Sequence, residues 1–235
     1  MNTTQTQIEA IAELVVDFPV RGVWITPNSP GTRIPSHGTT RFGEAYAIDF
    51  VMINGDDQSK KPYRSSFLSY LLRGVQLSDF YGWGQTVYSP INGQVMAVVN
   101  DVDERSIVNP FTDLQYMRKA TKESNNIHRT PEIVAGNHVL IKINENQYAL
   151  LAHLVKGSIK VIPGESVERN QPIGQLGHSG NSTMPHLHMQ FMDHFDFSKA
   201  QGIPFVFSEY EVAENGRWKM INHSVPTTKD VVRKL

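Results

Sequence analysis

The chain has 235 residues, with 22 Lys+Arg against 23 Asp+Glu, 9 His and no Cys. A net charge of −1 advertises neither nucleic acid nor an anionic membrane surface. Without cysteine there are no disulfide frameworks, thiolate metal sites or cysteine nucleophiles, so a transition-metal centre must use His, Asp or Glu. The 40% hydrophobic and 19% charged composition is that of a folding chain rather than a disordered polyelectrolyte.

The N-terminus lacks a positively charged leader and carries Glu9 and Glu13. It reads as a helix over Ile8–Val16 rather than a signal peptide, which points to the cytoplasm. Had a leader been removed, the cell envelope or the exterior would be expected instead. No run reaches the ~18 to 20 apolar residues of a membrane span. From about residue 20 the pattern is mainly β, with short Val-, Ile-, Tyr- and Phe-rich runs between Gly, Pro and Asn turns. Strands are expected at Gly22–Thr26, Ala45–Ile53, Gln94–Asn100, His138–Ile143, Gln147–Leu154, Gln171–Leu176 and Leu187–Met192. Asn92–Gly93 is a hairpin signal. Two polar stretches, 54–84 and 101–136, read as irregular or helical insertions, with weak helical character over Asp113–Lys122. The expected organisation is an N-terminal arm over 1–20, one β domain over 21–200 carrying both insertions, and a C-terminal extension over 201–235. That extension shows one strand-like run, Trp218–Ile221. Oligomeric state is not readable.

Chemistry concentrates in four segments. In Gly180-Asn-Ser-Thr-Met-Pro-His-Leu-His-Met-Gln-Phe191 a small-residue turn feeds a strand. Alternation puts His186, His188 and Gln190 on one face and Leu187, Met189 and Phe191 on the other. One imidazole can then take a metal while the other reaches the metal's water or the substrate. In Tyr46–Met52, Asp49 sits opposite an apolar face and needs a partner or a metal. His37 lies in a Gly-containing loop, and His153 ends an apolar strand, a position that by itself suits a core histidine. His138, His178, His128, His194 and His223 carry no signal beyond their surroundings. Two His and one Asp would give three protein ligands, leaving a fourth position for water. No His-Glu-x-x-His, Gly-x-Ser-x-Gly or phosphate-binding Gly loop occurs.

These segments, with Thr86–Val95, Gly136–Ile141, Tyr148–Leu154 and Pro163–Gly174, resemble the lysostaphin/LytM-type zinc metallopeptidases, which cut peptide bonds in peptidoglycan. The resemblance runs from about Ile34 to Phe191. It implies an antiparallel core of two packed sheets, akin to a barrel-sandwich hybrid, with a groove over the metal. It further implies one Zn2+ per chain held by His37, Asp49 and His188, and a zinc-activated water assisted by His153 and His186. Asn181, Thr183 and Gln190 would face the substrate, a peptide or peptidoglycan. One departure stands out: the family commonly spaces the first His and the Asp four residues apart, and here the spacing is twelve. Two other readings are a non-catalytic peptide- or glycan-binding or regulatory module of the same fold, and a histidine phosphocarrier. The phosphocarrier has no need of Asp49 or of the His-x-His pair.

Overall fold

The computed structural model describes residues 3–55, 60–115, 118 and 134–235. Helix α1 (Thr3–Ile11) leads into β1 (Leu14–Val16) and β2 (Gly22–Ile25), and a 3-10 segment over Arg41–Tyr46 precedes β3 (Ile48–Met52). The first insertion supplies α2 (Phe67–Arg73) and β4 (Val75–Gln76). Then come β5 (Thr86–Tyr88), β6 (Gly93–Val99), β7 (Ile107–Val108), β8 (Asn137–Asn144) and β9 (Gln147–Leu154). The chain continues through β10 (Ser166–Val167), β11 (Pro172–Gln175), β12 (Leu187–Met192), β13 (Phe205–Glu214), β14 (Arg217–Ser224) and β15 (Val231–Lys234).

The mainly β architecture follows the expectation. Among the described residues one large sheet runs β1-β13-β15-β2-β3-β12-β9-β8-β6-β10, with β14 alongside β13. A two-stranded sheet, β11 with β5, is separate, and no barrel closes. All pairings are antiparallel except β1 with β13. The main core contains Phe18, Trp24, Phe50, Phe191, Phe205 and Phe207 and reaches Val87 and Ile173 of the small sheet and Ile8 of α1. Phe18 is central, with its ring 5.0 Å from those of both Phe50 and Phe207. Each such buried side chain contributes roughly 1.5–3 kcal/mol of transfer free energy. No helix among the described residues is long and apolar enough to cross a membrane.

Several elements differ from the sequence expectation. The N-terminal helix ends at Ile11 and Leu14–Val16 is a strand, because its β-branched valines find a parallel partner in residues 205–207. The expected strand over Ala45–Ile53 begins only at Ile48, after the 3-10 segment. Asn92–Gly93 does not close a hairpin, since β5 pairs with β11 and β6 with β8 and β10. The hairpin signal that is realised is Asn215–Gly216, with φ of 51° and 73°, joining β13 to β14. The C-terminal stretch therefore holds three strands rather than one, and β15 lies between β13 and β2. The two insertions meet through β4 and β7, where Val75 pairs with Val108. They share a small core of Tyr63, Val75, Leu77, Phe80 and Val108, against which Met184 packs. Most of the helix expected over Asp113–Lys122, and His128, lie outside the described residues.

Candidate metal centre and cleft

The strands that carry the chemistry are neighbours in mid-sheet. β12 lies between β3 and β9, and His188 pairs directly with Asp49 on one side and Ala152 on the other. The alternation predicted for β12 holds: Leu187, Met189 and Phe191 enter the core, while His186, His188 and Gln190 line a cleft of about 1100 Å³. In β3, Ile48 and Phe50 are core residues, and Asp49 and Val51 face the cleft.

His37 reaches the same point despite its distance in sequence. The loop from His37 to Asp49 is pinched at its neck, where the Ser36 amide donates to the Ala45 carbonyl at 3.0 Å and the Ser36 hydroxyl donates to the Glu44 carbonyl at 3.2 Å. Phe42 and Gly43 turn the 3-10 segment through left-handed conformations, with φ of 60° and 80°. Gly43 is needed there, since a Cβ would stand 2.6 Å from Met192 Cγ. The same turn aims the Phe42 carbonyl at Gln190 Nε2, 2.7 Å away.

His37 Nε2 lies 3.0 Å from Asp49 Oδ2, and His188 Nδ1 lies 2.9 Å from Asp49 Oδ1. One ligand atom from each of the three residues lies within 4.8 Å of the others. A tetrahedral site with bonds of about 2.0–2.1 Å needs ligand atoms about 3.3 Å apart, so this group can close on a metal ion with small side-chain shifts. Each member is held by a further partner, the arrangement that orients metal ligands. His188 Nε2 is 2.9 Å from Gln190 Oε1, His37 Nδ1 is 3.0 Å from Ser36 Oγ, and Asn28 Nδ2 donates to Asp49 Oδ2 at 2.7 Å. Burial works against the charged form of His188, but the hydrogen bond and charge of Asp49 outweigh it and push its pKa up to about 9. Burial likewise disfavours an ionised Asp49, yet the facing imidazoles hold its carboxyl well below the usual range. A proton on His188 thus supplies the positive charge that a metal would bring.

His153 enters the cleft by a break in the strand pattern. Strict alternation would put it on the core side with Leu151. Instead its φ is 65°, and the β8–β9 register shifts where Asn137–Val139 faces Leu151–Leu154. This bulge lets Ala152 and His153 both line the cleft while Leu154 turns into the core. His153 Nδ1 donates to the Ser179 carbonyl at 2.9 Å, and its ring centroid is 4.6 Å from that of His186. Burial, with His186 and His188 nearby, drives the pKa of His153 well below the ordinary histidine value. Burial also lowers that of His186, whose Nε2 is 3.7 Å from Asp49 Oδ1.

Of the residues expected to face substrate, Asn181 and Thr183 line the cleft, and Asn181 Oδ1 is a buried acceptor with no partner among the described residues. Gln190 is almost fully buried, with both ends of its amide engaged by His188 and Phe42; it supports the centre rather than presenting a free group. Asn28 and Ser36 had no sequence signal, since each is one polar residue in a polar loop. His178, in the turn that leads to His186, is fully buried, where the sequence offered only a Gly-rich turn.

The chain resembles peptidase family M23, whose model matches residues 119–200. That span contains His153, His186 and His188 and leaves out His37 and Asp49. Solved structures similar to the chain include a zinc-containing peptidase from Vibrio cholerae, 20% identical, covering 82% of this chain and 38% of that one, with a TM-score of 0.36. The catalytic domain of lysostaphin from Staphylococcus simulans is 18% identical over 77% of this chain and 88% of that one, TM-score 0.38. The SpoIIQ–SpoIIIAH pore-forming complex matches at 14% identity over 81% of this chain and 89% of that one, TM-score 0.40. The chain thus spans well under half of the Vibrio cholerae peptidase chain.

Proposed function

We propose that the protein is a zinc metalloendopeptidase that hydrolyses peptide bonds in peptidoglycan cross-links or stem peptides. The observation that carries this reading is the convergence of His37, Asp49 and His188 at a cleft that His153 and His186 also line. Two imidazoles and a carboxylate match the ligand preference of zinc in a catalytic site, with a position left for water. Zinc bound there would lower the pKa of a water and polarise a carbonyl. The resemblance to family M23 supports the peptide substrate, and the open cleft has room for an extended chain.

The remaining residues divide the proton work. His153 and His186 are neutral near pH 7, since burial lowers the pKa of both. Each uses Nδ1 on a backbone carbonyl, Ser179 for His153 and Met184 for His186. Each therefore keeps a lone pair on Nε2 for the cleft. One imidazole can take a proton from the attacking water, and the proton it gains can then be donated to the leaving amine. The buried Asn181 Oδ1 can accept a hydrogen bond from a substrate N–H.

The test is zinc content and release of new amino groups from purified peptidoglycan, with His188→Ala as control. Stoichiometric zinc and hydrolysis, both lost in the variant, are expected. Protein that stays metal-free in excess zinc would sink the reading, whereas zinc without hydrolysis would favour a binding module.

A further inference from the structure

Arg105 belongs to the second insertion, yet its guanidinium lies against the loop that leads to His186. Its Nε donates to Asp113 Oδ1 at 2.8 Å, and one terminal nitrogen donates to the Gly180 carbonyl at 3.2 Å. The other donates to the Ser182 carbonyl and stands 3.0 Å from His178 Nε2. Asp113 is buried and also accepts from the Asn109 amide at 2.7 Å. Beyond His178 the contacts continue inward. His178 Nδ1 is 3.0 Å from Ser182 Oγ. Ser182 Oγ is 2.6 Å from the Met184 carbonyl and 3.1 Å from His186 Nδ1.

The protons along this path can be assigned from donor and acceptor capacity alone. A guanidinium only donates, so His178 Nε2 must accept. Neutral His178 then carries its proton on Nδ1 and donates it to Ser182. The single proton of the Ser182 hydroxyl goes to the Met184 carbonyl. Both lone pairs of Ser182 Oγ are left to accept, one from His178 and one from His186 Nδ1–H. The inventory closes only if His186 bears its proton on Nδ1, which leaves Nε2 bare toward Asp49 and the cleft. The Met184 carbonyl, 2.8 Å from His186 Nδ1, calls for the same proton, so the tautomer is set at that carbonyl and the His178–Ser182 pair adds a second contact that holds the ring in place.

We propose that Arg105 and His178 are positioning residues: through Ser182 they hold the ring orientation of His186, and so make the second insertion part of the active centre. The catalytic consequence rests on the peptidase reading; the tautomer assignment does not. Nothing in the sequence advertised this link, because Arg105, His178 and Ser182 come from an insertion and a turn that meet only in the fold.

The test uses the full chain at about pH 8, with and without zinc. Nitrogen-15 NMR of the His186 ring reads its tautomer and its surroundings, beside kcat and KM. His178→Asn keeps an N–H near the position of Nδ1, and His178→Gln keeps only an acceptor near that of Nε2. The expected result is the Nδ1–H form of His186 in wild type and in every variant, because the Met184 carbonyl keeps that proton, with ring shifts unchanged in His178→Asn. In His178→Gln and Ser182→Ala the His186 ring shifts should move and kcat should fall about tenfold or more with KM little changed, while His178→Asn stays within about threefold of wild type. The double variant His178→Gln/Ser182→Ala should be no slower than Ser182→Ala alone. Unmoved ring shifts with Asn and Gln equally impaired, or effects that multiply in the double variant, would overturn the proposal. Ring shifts that respond in a protein that cuts nothing would sink the peptidase reading and leave the positioning role standing.

Discussion

His188 and Asp49 face each other across β12 and β3, with Nδ1 2.9 Å from Oδ1. In the metal-free protein a proton occupies that contact, because Asp49 pushes the pKa of His188 up to about 9 against the effect of burial. Zinc and this proton therefore compete for one nitrogen. Binding of zinc at pH 7 should release about one proton, and affinity should climb with pH until about 9. Calorimetry in two buffers of different ionisation enthalpy reads the proton count; equal heats in both would refute the competition.

The same pair sets the sign of the pH effect on stability. The folded pKa of His188, about 9, lies above its unfolded value of about 6.5. Its contribution is full below about 6.5 and is lost as pH rises through about 9. Metal-free protein should lose up to roughly 3 kcal/mol across that window. The lowered pKa values of His153 and His186 act on the other side, costing stability as pH falls below about 6.5. A Tm of the metal-free protein that rises from pH 7 to pH 9 would contradict the assignment.

Gln190 should matter through His188 rather than through substrate. Removing the acceptor for His188 Nε2 with Gln190→Ala should weaken zinc about 10- to 100-fold. Competition against a chelator measures it. Unchanged zinc affinity with a raised KM would return Gln190 to the substrate-facing role that the sequence suggested.

Gly43 is where the long His37–Asp49 loop turns back on itself. Gly43→Ala combines a φ of 80° with a Cβ 2.6 Å from Met192 Cγ. A cost of about 1–3 kcal/mol is expected from the backbone conformation, together with weaker zinc binding as the Phe42 carbonyl leaves Gln190. Denaturant unfolding and zinc titration of the same variant check both; a silent substitution would mean that the loop re-forms without help.

His186→Ala and His153→Ala should keep zinc, since neither belongs to the three-residue group, and each should lose about 10²–10⁴-fold in hydrolysis. Loss of the metal from His186→Ala would instead put His186 among the ligands.

What could be read from the sequence was what obeys a local period. β12 and His186 just before it keep strict alternation, so the two faces and the three polar side chains were legible. β3 was legible from Ile48 onward, where the same alternation applies. His153 was found on the right strand, but the bulge that turns it into the cleft depends on how β8 and β9 pair, which no local pattern records. The twelve-residue spacing between His37 and Asp49 is resolved by the contact of Ser36 with Ala45 and by left-handed turns at Phe42 and Gly43, one of them at a residue that does not advertise positive φ. The C-terminal strands carry an Asn215–Gly216 turn signal, but the residues next to it are largely polar and exposed, so no apolar run marks them as strands.

The position of β15 has a consequence for how the molecule is made. Strand β2, the neighbour of the strand that bears Asp49, is flanked on its other edge by residues 231–234. On a ribosome, which delivers the chain from one end, that edge stays open until those residues emerge, although His37, Asp49, His153 and His188 have all been synthesised by then. The nascent chain thus holds the parts of the centre well before the sheet that supports them can be completed.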